Sequence, residues 1–94
     1  MNIGEIREKI LPILRKYEVT RAGLFGSIVR GEAREDSDVD ILVEIDRDDI
    51  SLLDFVGIEF ELSEALGRKV DLVEYCAIHP LLKEHILKEE LKLL

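Results

Sequence analysis

Residues 38–45 read DVDILVEI, and that alternation limits the possible folds more than any other feature of the chain. Successive side chains on a strand point to opposite faces. Val39, Ile41, Val43 and Ile45 therefore share one face, a core face by composition. Asp38, Asp40, Leu42 and Glu44 share the other. The strand must lie in a sheet covered on its first face, with two carboxylates side by side at the start of its second. A further run, KVDLV at 69–73, puts Val70 and Leu72 on one face and Asp71 with Val73 on the other. If the two strands are neighbours, Asp71 joins Asp38 and Asp40.

Such a cluster is unfavourable on its own. Two unit charges about 6 Å apart repel by roughly 3 kcal/mol at an effective dielectric near 20. A domain of this size has a total stability of only about 5–14 kcal/mol. A divalent cation between the carboxylates relieves the repulsion, and oxygen ligands suit Mg²⁺ or Mn²⁺. The plain alternative is a solvated strand end, which is what an isolated Asp-x-Asp most often marks. The third carboxylate and the segment before it weigh against that reading.

That segment is LFGSIVRGEAREDS, residues 24–37. Gly26-Ser27 follows a strand-like end at Leu24-Phe25 and opens one helical turn, Ser27 to Arg30, closed by Gly31. Glycine lets backbone approach a ligand closely. The first amides of a helix carry partial positive charge and suit phosphate. The Ser27 hydroxyl can add a hydrogen bond, and Arg30 stands one turn on. Taken alone, Gly-Ser reads as a plain helix cap at Ser27. Together with carboxylates one loop later and on another strand, it supplies the parts for metal-assisted nucleotidyl transfer.

The remaining periodicity places the other elements. Ile3 to Tyr17 reads as a helix with Ile6, Ile10, Ile13 and Leu14 on one stripe, and Pro12 predicts a kink or a late start. Arg21 to Phe25 reads as a short strand, Lys69 to Val73 as a third strand, and Glu32 to Ser37 as a polar loop. Ser51, with Asp54 three residues on, predicts a capped helix that runs to Leu66 and stops at Gly67. Pro80 fits the first turn of a last helix reaching about Leu93. The order predicts an α/β (α+β) chain: a small mixed sheet with helices packed on one face. The helix at 51–66 has an apolar arc covering roughly two-thirds of its circumference, interrupted by Glu59 and Ser63. Either it is wedged between the sheet and another helix, or part of the arc meets another chain.

Ninety-four residues, 47% of them apolar, suffice for one small domain, 1–94, with an expected radius of gyration of roughly 12 Å. The single cysteine, Cys76, cannot form an internal disulfide, which fits a reducing, cytoplasmic setting. It reads as a small filler after the third strand, and His79 and His85 as surface or capping residues. Glu44 is expected to be solvated. The charged start MNIGEIREKI predicts no signal peptide, and no uncharged run exceeds eight residues, which predicts no membrane span. A formal net charge of −8 disfavours direct nucleic-acid binding.

The joint pattern resembles the DNA polymerase β-type nucleotidyltransferase superfamily: Phe25, Gly26-Ser27, ten residues, Asp38-Val39-Asp40, and later Asp71 between Val70 and Leu72. LFGSIVRGEAREDSDVDILVE and GRKVDLVE, with the small size, more narrowly resemble the prokaryotic minimal nucleotidyltransferases (MNT). The resemblance covers nearly the whole chain and implies the polymerase β-like fold. It implies that Asp38 and Asp40 ligate two Mg²⁺ ions. Asp71 would help hold one of them and orient or deprotonate the attacking hydroxyl. Gly26 and Ser27 would hold the outer phosphates of ATP, with Arg30 at a basic position often present there. It also implies a partner, since MNT proteins are commonly paired with HEPN-domain toxins in toxin–antitoxin systems. The MNT antitoxin there transfers AMP from ATP to a tyrosine of the toxin. Two alternatives stay open: a non-catalytic antitoxin acting by binding, and a small-molecule nucleotidyltransferase, for which a lone domain offers little acceptor pocket.

Overall fold

A computed structural model describes residues 2–32, 34, 37–46 and 49–94. The predicted loop at 32–37 lies partly outside them. The first helix, α1 (Ile3–Lys16), starts at Asn2, whose side chain accepts the Glu5 amide at 2.8 Å. Pro12 therefore neither delays nor ends it. The strand β1 (Val19–Phe25) follows, two residues longer at its start than its pattern predicts. Then come the single turn α2 (Ser27–Arg30), β2 (Val39–Ile45), α3 (Leu52–Leu66) and β3 (Val70–Glu74). A 3-10 turn at Tyr75–Ala77 leads to α4 (Pro80–Glu89) and a two-residue strand, β4 (Leu91–Lys92).

The sheet order is β3-β2-β1-β4. β2 runs parallel to β3 and antiparallel to β1, and β4 pairs antiparallel with β1 at Gly23 and Leu24. The sheet is thus mixed, as predicted. Its first face carries Val39, Ile41, Val43, Val70 and Leu72, packed against Ile6, Ile10 and Leu14 of α1 and Ile58, Leu62 and Leu66 of α3. The radius of gyration, 12.5 Å, matches the length-based expectation.

The expectation of helices on one face holds for α1 and α3 and is corrected for α4. Leu42, on the Asp40 face, is fully buried, in a second cluster with Tyr75, Ile78, Phe25, Val73, Ile86 and Leu87. An apolar side chain there needs cover, and α4 with the 3-10 turn supplies it. The predicted extent of the last helix is corrected for a related reason. Leu93 belongs to the first-face core. A helix lying on the second face cannot deliver it there, so the chain leaves the helix after Glu89 and passes along β1 at the sheet edge. The Leu93 amide then donates to the Ala22 carbonyl at 2.8 Å.

In α3 the capping box forms as read, with Ser51 and Asp54 exchanging bonds of 3.0 and 3.1 Å, and Gly67 closes the helix at φ 65°. Its apolar arc splits: Ile58, Leu62 and Leu66 are buried, whereas Leu52, Leu53, Val56 and Phe60 are exposed. The two polar interruptions face the open edge of β3. Ser63 Oγ accepts the Val70 amide at 2.9 Å and a Glu59 carboxylate oxygen accepts the Leu72 amide at 3.0 Å. Unpaired edge amides invite pairing with another strand, and these two residues remove them. His79 caps α4 through its Nδ1, which accepts the Leu81 amide at 3.1 Å. His85 is on the surface, 3.5 Å from Glu89. Cys76 is exposed and not a core filler; the buried residue of that turn is Tyr75, which is large enough to reach Leu42. No helix among the described residues is long and apolar enough to cross a membrane.

Candidate active site

Strand register brings the candidate residues together. Asp40 stands opposite Asp71 on one side and Phe25 on the other. Directly opposed residues share a face, and adjacent strands lie about 4.8 Å apart. Asp40 and Asp71 are therefore neighbours on the second face. Gly26, the residue after Phe25, enters the same row from β1. Asp38 lies one residue before β2, its side chain 48% exposed, with Lys69 Nζ at 3.9 Å.

Gly26 is required for two reasons. Its backbone sits at φ 80°, ψ −152°, a region only glycine enters readily. A Cβ there would also lie 2.2 Å from an Asp40 carboxylate oxygen. Gly26, not Ser27, is the cap of α2, and no side chain caps it. Ser27 is the first helical residue, so its hydroxyl is not consumed as the plain cap reading required. The Val29 and Arg30 amides bond back to the Gly26 carbonyl at 3.1 and 3.2 Å. The preceding amides, of Ser27 and Ile28, are those a helix leaves without an internal acceptor.

The electrostatics tie the group together. Burial first, then the charges of Asp71 and Asp38, push the Asp40 carboxyl above its ordinary value, and Arg30 opposes the rise. Each of those charges is thus near enough to matter. Arg30 pairs with Glu32 at 3.3 Å and with Glu89 of α4 at 3.3 Å. Lys69 and Glu89 escaped sequence reading because nothing local marks them; each reaches the site only through the folded chain. Glu44 shares the strand face and is exposed, as expected.

Oxygen donors alone, on adjacent strands, are the donor chemistry of a hard divalent cation. Among the described residues, however, no three His, Cys, Asp or Glu side chains form a group that could hold a metal ion as they stand. The strand register sets Asp40 opposite Asp71 and the Asp40 carboxylate lies over Gly26, while the half-exposed Asp38 is turned toward Lys69. An apolar cavity of about 390 Å³ lies off this row, toward the far end of β3, walled by Ile50, Leu52, Phe55, Leu72, Val73 and Ala77 among others.

Comparison with known proteins gives the family. Residues 7–93 match the family model described as nucleotidyltransferase domain. A Methanocaldococcus jannaschii protein, provisionally named a protein adenylyltransferase, is 53% identical over 94 residues, covering all of both chains. A solved structure provisionally described as a minimal nucleotidyltransferase is 36% identical, with a TM-score of 0.81 over 97% of this chain and 95% of that one. A crystal structure of a toxin–antitoxin with AMP-PNP matches at 27% identity and a TM-score of 0.81, over 94% of this chain and 72% of that one. The chain belongs to the nucleotidyltransferase domain family, and within it to the minimal nucleotidyltransferases.

Proposed function

We propose that this chain is the antitoxin of a HEPN/MNT toxin–antitoxin pair, and that it transfers AMP from ATP to a tyrosine hydroxyl of the HEPN toxin with Mg²⁺ as cofactor. The observation that carries the reading is the row formed by the Gly26-Ser27 turn, Asp40 and Asp71. The name of the M. jannaschii relative supports AMP transfer to protein, and the toxin–antitoxin with AMP-PNP supports both partner and nucleotide.

Asp38, Asp40 and Asp71 would hold Mg²⁺, which supplies charge for the α-phosphate and for the departing pyrophosphate. The Ser27 and Ile28 amides and the Ser27 hydroxyl bind the outer phosphates, and Arg30 adds a fixed positive charge. Asp71, whose side chain is exposed on the edge strand β3, is open to an acceptor and takes the proton from the tyrosine hydroxyl. The tyrosine oxygen forms a bond to the α-phosphorus, the bond to the β-phosphate bridging oxygen breaks, and pyrophosphate leaves. The lack of a side chain at Gly26 leaves open the space that the Asp40 carboxylate occupies.

The test is incubation of the chain with ATP, Mg²⁺ and the toxin encoded beside it, followed by intact-mass measurement. A toxin heavier by whole AMP units supports the proposal, and an unchanged mass sinks it. The exposed Leu52, Leu53, Val56 and Phe60 favour a second reading, neutralisation by binding alone. Neutralisation that survives with Asp38 and Asp40 both replaced by Ala would establish that reading in place of the first.

A further inference from the structure

Arg30 closes the single helical turn that Gly26 opens against Asp40, yet its ion pairs among the described residues run elsewhere, to Glu32 and Glu89. Glu32 is two residues away and 65% exposed, an ordinary surface partner. Glu89 comes from 59 residues along the chain and is only 21% exposed; both its carboxylate oxygens lie within 3.4 Å of Arg30 Nη1.

Glu89 is also held from behind. The next residue, Glu90, has a side chain 3% exposed, faces Arg21 at 3.6 Å and accepts the Tyr75 hydroxyl. It packs where a Cβ on Gly23 would stand, 2.3 Å from its carboxylate oxygen. Leu91 and Lys92 then pair with β1. On the helix side His85 Nε2 lies 3.5 Å from Glu89. A surface ion pair contributes little because two long side chains must be ordered to form it. Here one partner sits on backbone already fixed by a buried neighbour and a strand pair.

Without Glu89 the guanidinium keeps, among the described residues, only the exposed Glu32 two residues away, and the Asp38, Asp40 and Asp71 row becomes a competing partner. Guanidinium and carboxylate pair readily, often through two hydrogen bonds. Arg30 would turn onto those oxygens and be lost to phosphate, and the oxygens would be lost to metal. We infer that Glu89 is a positioning residue that holds Arg30 beside the Gly26-Ser27 turn and off the carboxylates, so that the turn and the carboxylates both stay open to Mg·ATP. This rests on the nucleotidyltransferase reading above.

The test is calorimetric titration of the full chain with Mg·ATP, together with KM and kcat for AMP transfer. Glu89→Gln is expected to raise the Kd and the KM for ATP about tenfold, the scale of one charge-assisted hydrogen bond, with kcat falling less than about threefold. Glu89→Asp, which keeps the charge but draws it back one methylene, is expected at about a threefold rise, and it carries the test alone if the Gln variant melts early. In an Arg30→Gln background neither change has a further effect. The inference is overturned if the Glu89 variants bind Mg·ATP as tightly as the parent chain or more tightly. It is overturned equally if the weakening persists without Arg30, since Glu89 would then act through the fold. A parent chain that binds no Mg·ATP defeats the underlying reading, a result distinct from a parent that binds and a variant that binds equally well.

Discussion

Gly26 and Asp40 are in such close contact that a single methyl group at residue 26 would fall 2.2 Å from the Asp40 carboxylate. The turn and the acid are therefore one unit, although thirteen residues separate them in the chain. Gly26→Ala must both leave a glycine-only backbone region and displace Asp40. The backbone term alone is about 1–3 kcal/mol. We expect urea unfolding to show at least that loss, and AMP transfer to fall about 100-fold or more as Asp40 moves. An Ala variant with full activity would show that Asp40 need not be where it is.

Asp40→Asn is expected to act in opposite directions on stability and activity. Burial, then Asp71 and Asp38, raise the Asp40 pKa in the folded chain above its ordinary 3.8. The folded state therefore holds that proton more tightly than the unfolded state. Its contribution to stability is fully present below pH 3.8 and is lost as pH rises through the raised folded value. At pH 7 the Asn variant lacks this ionisation penalty and is expected to be the more stable, by a margin that solvent screening of the partly exposed carboxyl keeps small. Near pH 3 the two chains converge. Urea melts at both pH values check the sign, and AMP transfer is expected to fall by about 1000-fold or more.

The period-2 pattern of DVDILVEI was enough to place Val39, Ile41 and Val43 in the core, because one face of a strand has to meet it, but not to show that Leu42 on the other face is buried as well. The same pattern in KVDLV put Asp71 on the right face, and parallel pairing with β2 then set it beside Asp40. What could not be read was long-range or very short. A two-residue strand has no periodicity, so β4 was absorbed into the preceding helix. The side of the sheet taken by α4 depends on Leu42, whose need for cover looks the same in sequence whether a helix or a partner supplies it. Glu89 looks like any glutamate on a charged helix until the fold brings it to Arg30. Glu59 and Ser63 looked like flaws in an apolar arc and turn out to face the edge of β3.

That last pair carries its own prediction. Val70 and Leu72 flank Asp71, and their outward amides are held by Ser63 and Glu59. Ser63→Ala leaves the part-buried Val70 amide without its acceptor, a loss of about 1–3 kcal/mol. For a domain of this size each kcal/mol lowers the Tm by about 4–8 °C. Ser63→Thr, which keeps the hydroxyl, is expected to recover most of it. Because β3 sets the position of Asp71, the Ala variant is also expected to lose activity at temperatures well below its Tm. An Ala variant that melts with the parent would mean the bond is not formed in solution.

The split of α3 can be tested on one helix with two changes two residues apart. Leu62 is fully buried against α1 and the sheet, and Leu62→Ala removes packed atoms from a core that cannot close over the gap. Such changes cost about 2–5 kcal/mol. Phe60 is 66% exposed despite its size. Little of its surface leaves water on folding, so Phe60→Ala is expected to shift stability by no more than about 0.5 kcal/mol. Denaturant melts of the two variants under the same conditions give the comparison. A large loss at Phe60 would mean that the ring is covered in the chain as it exists in solution, and that this face of α3 is not open.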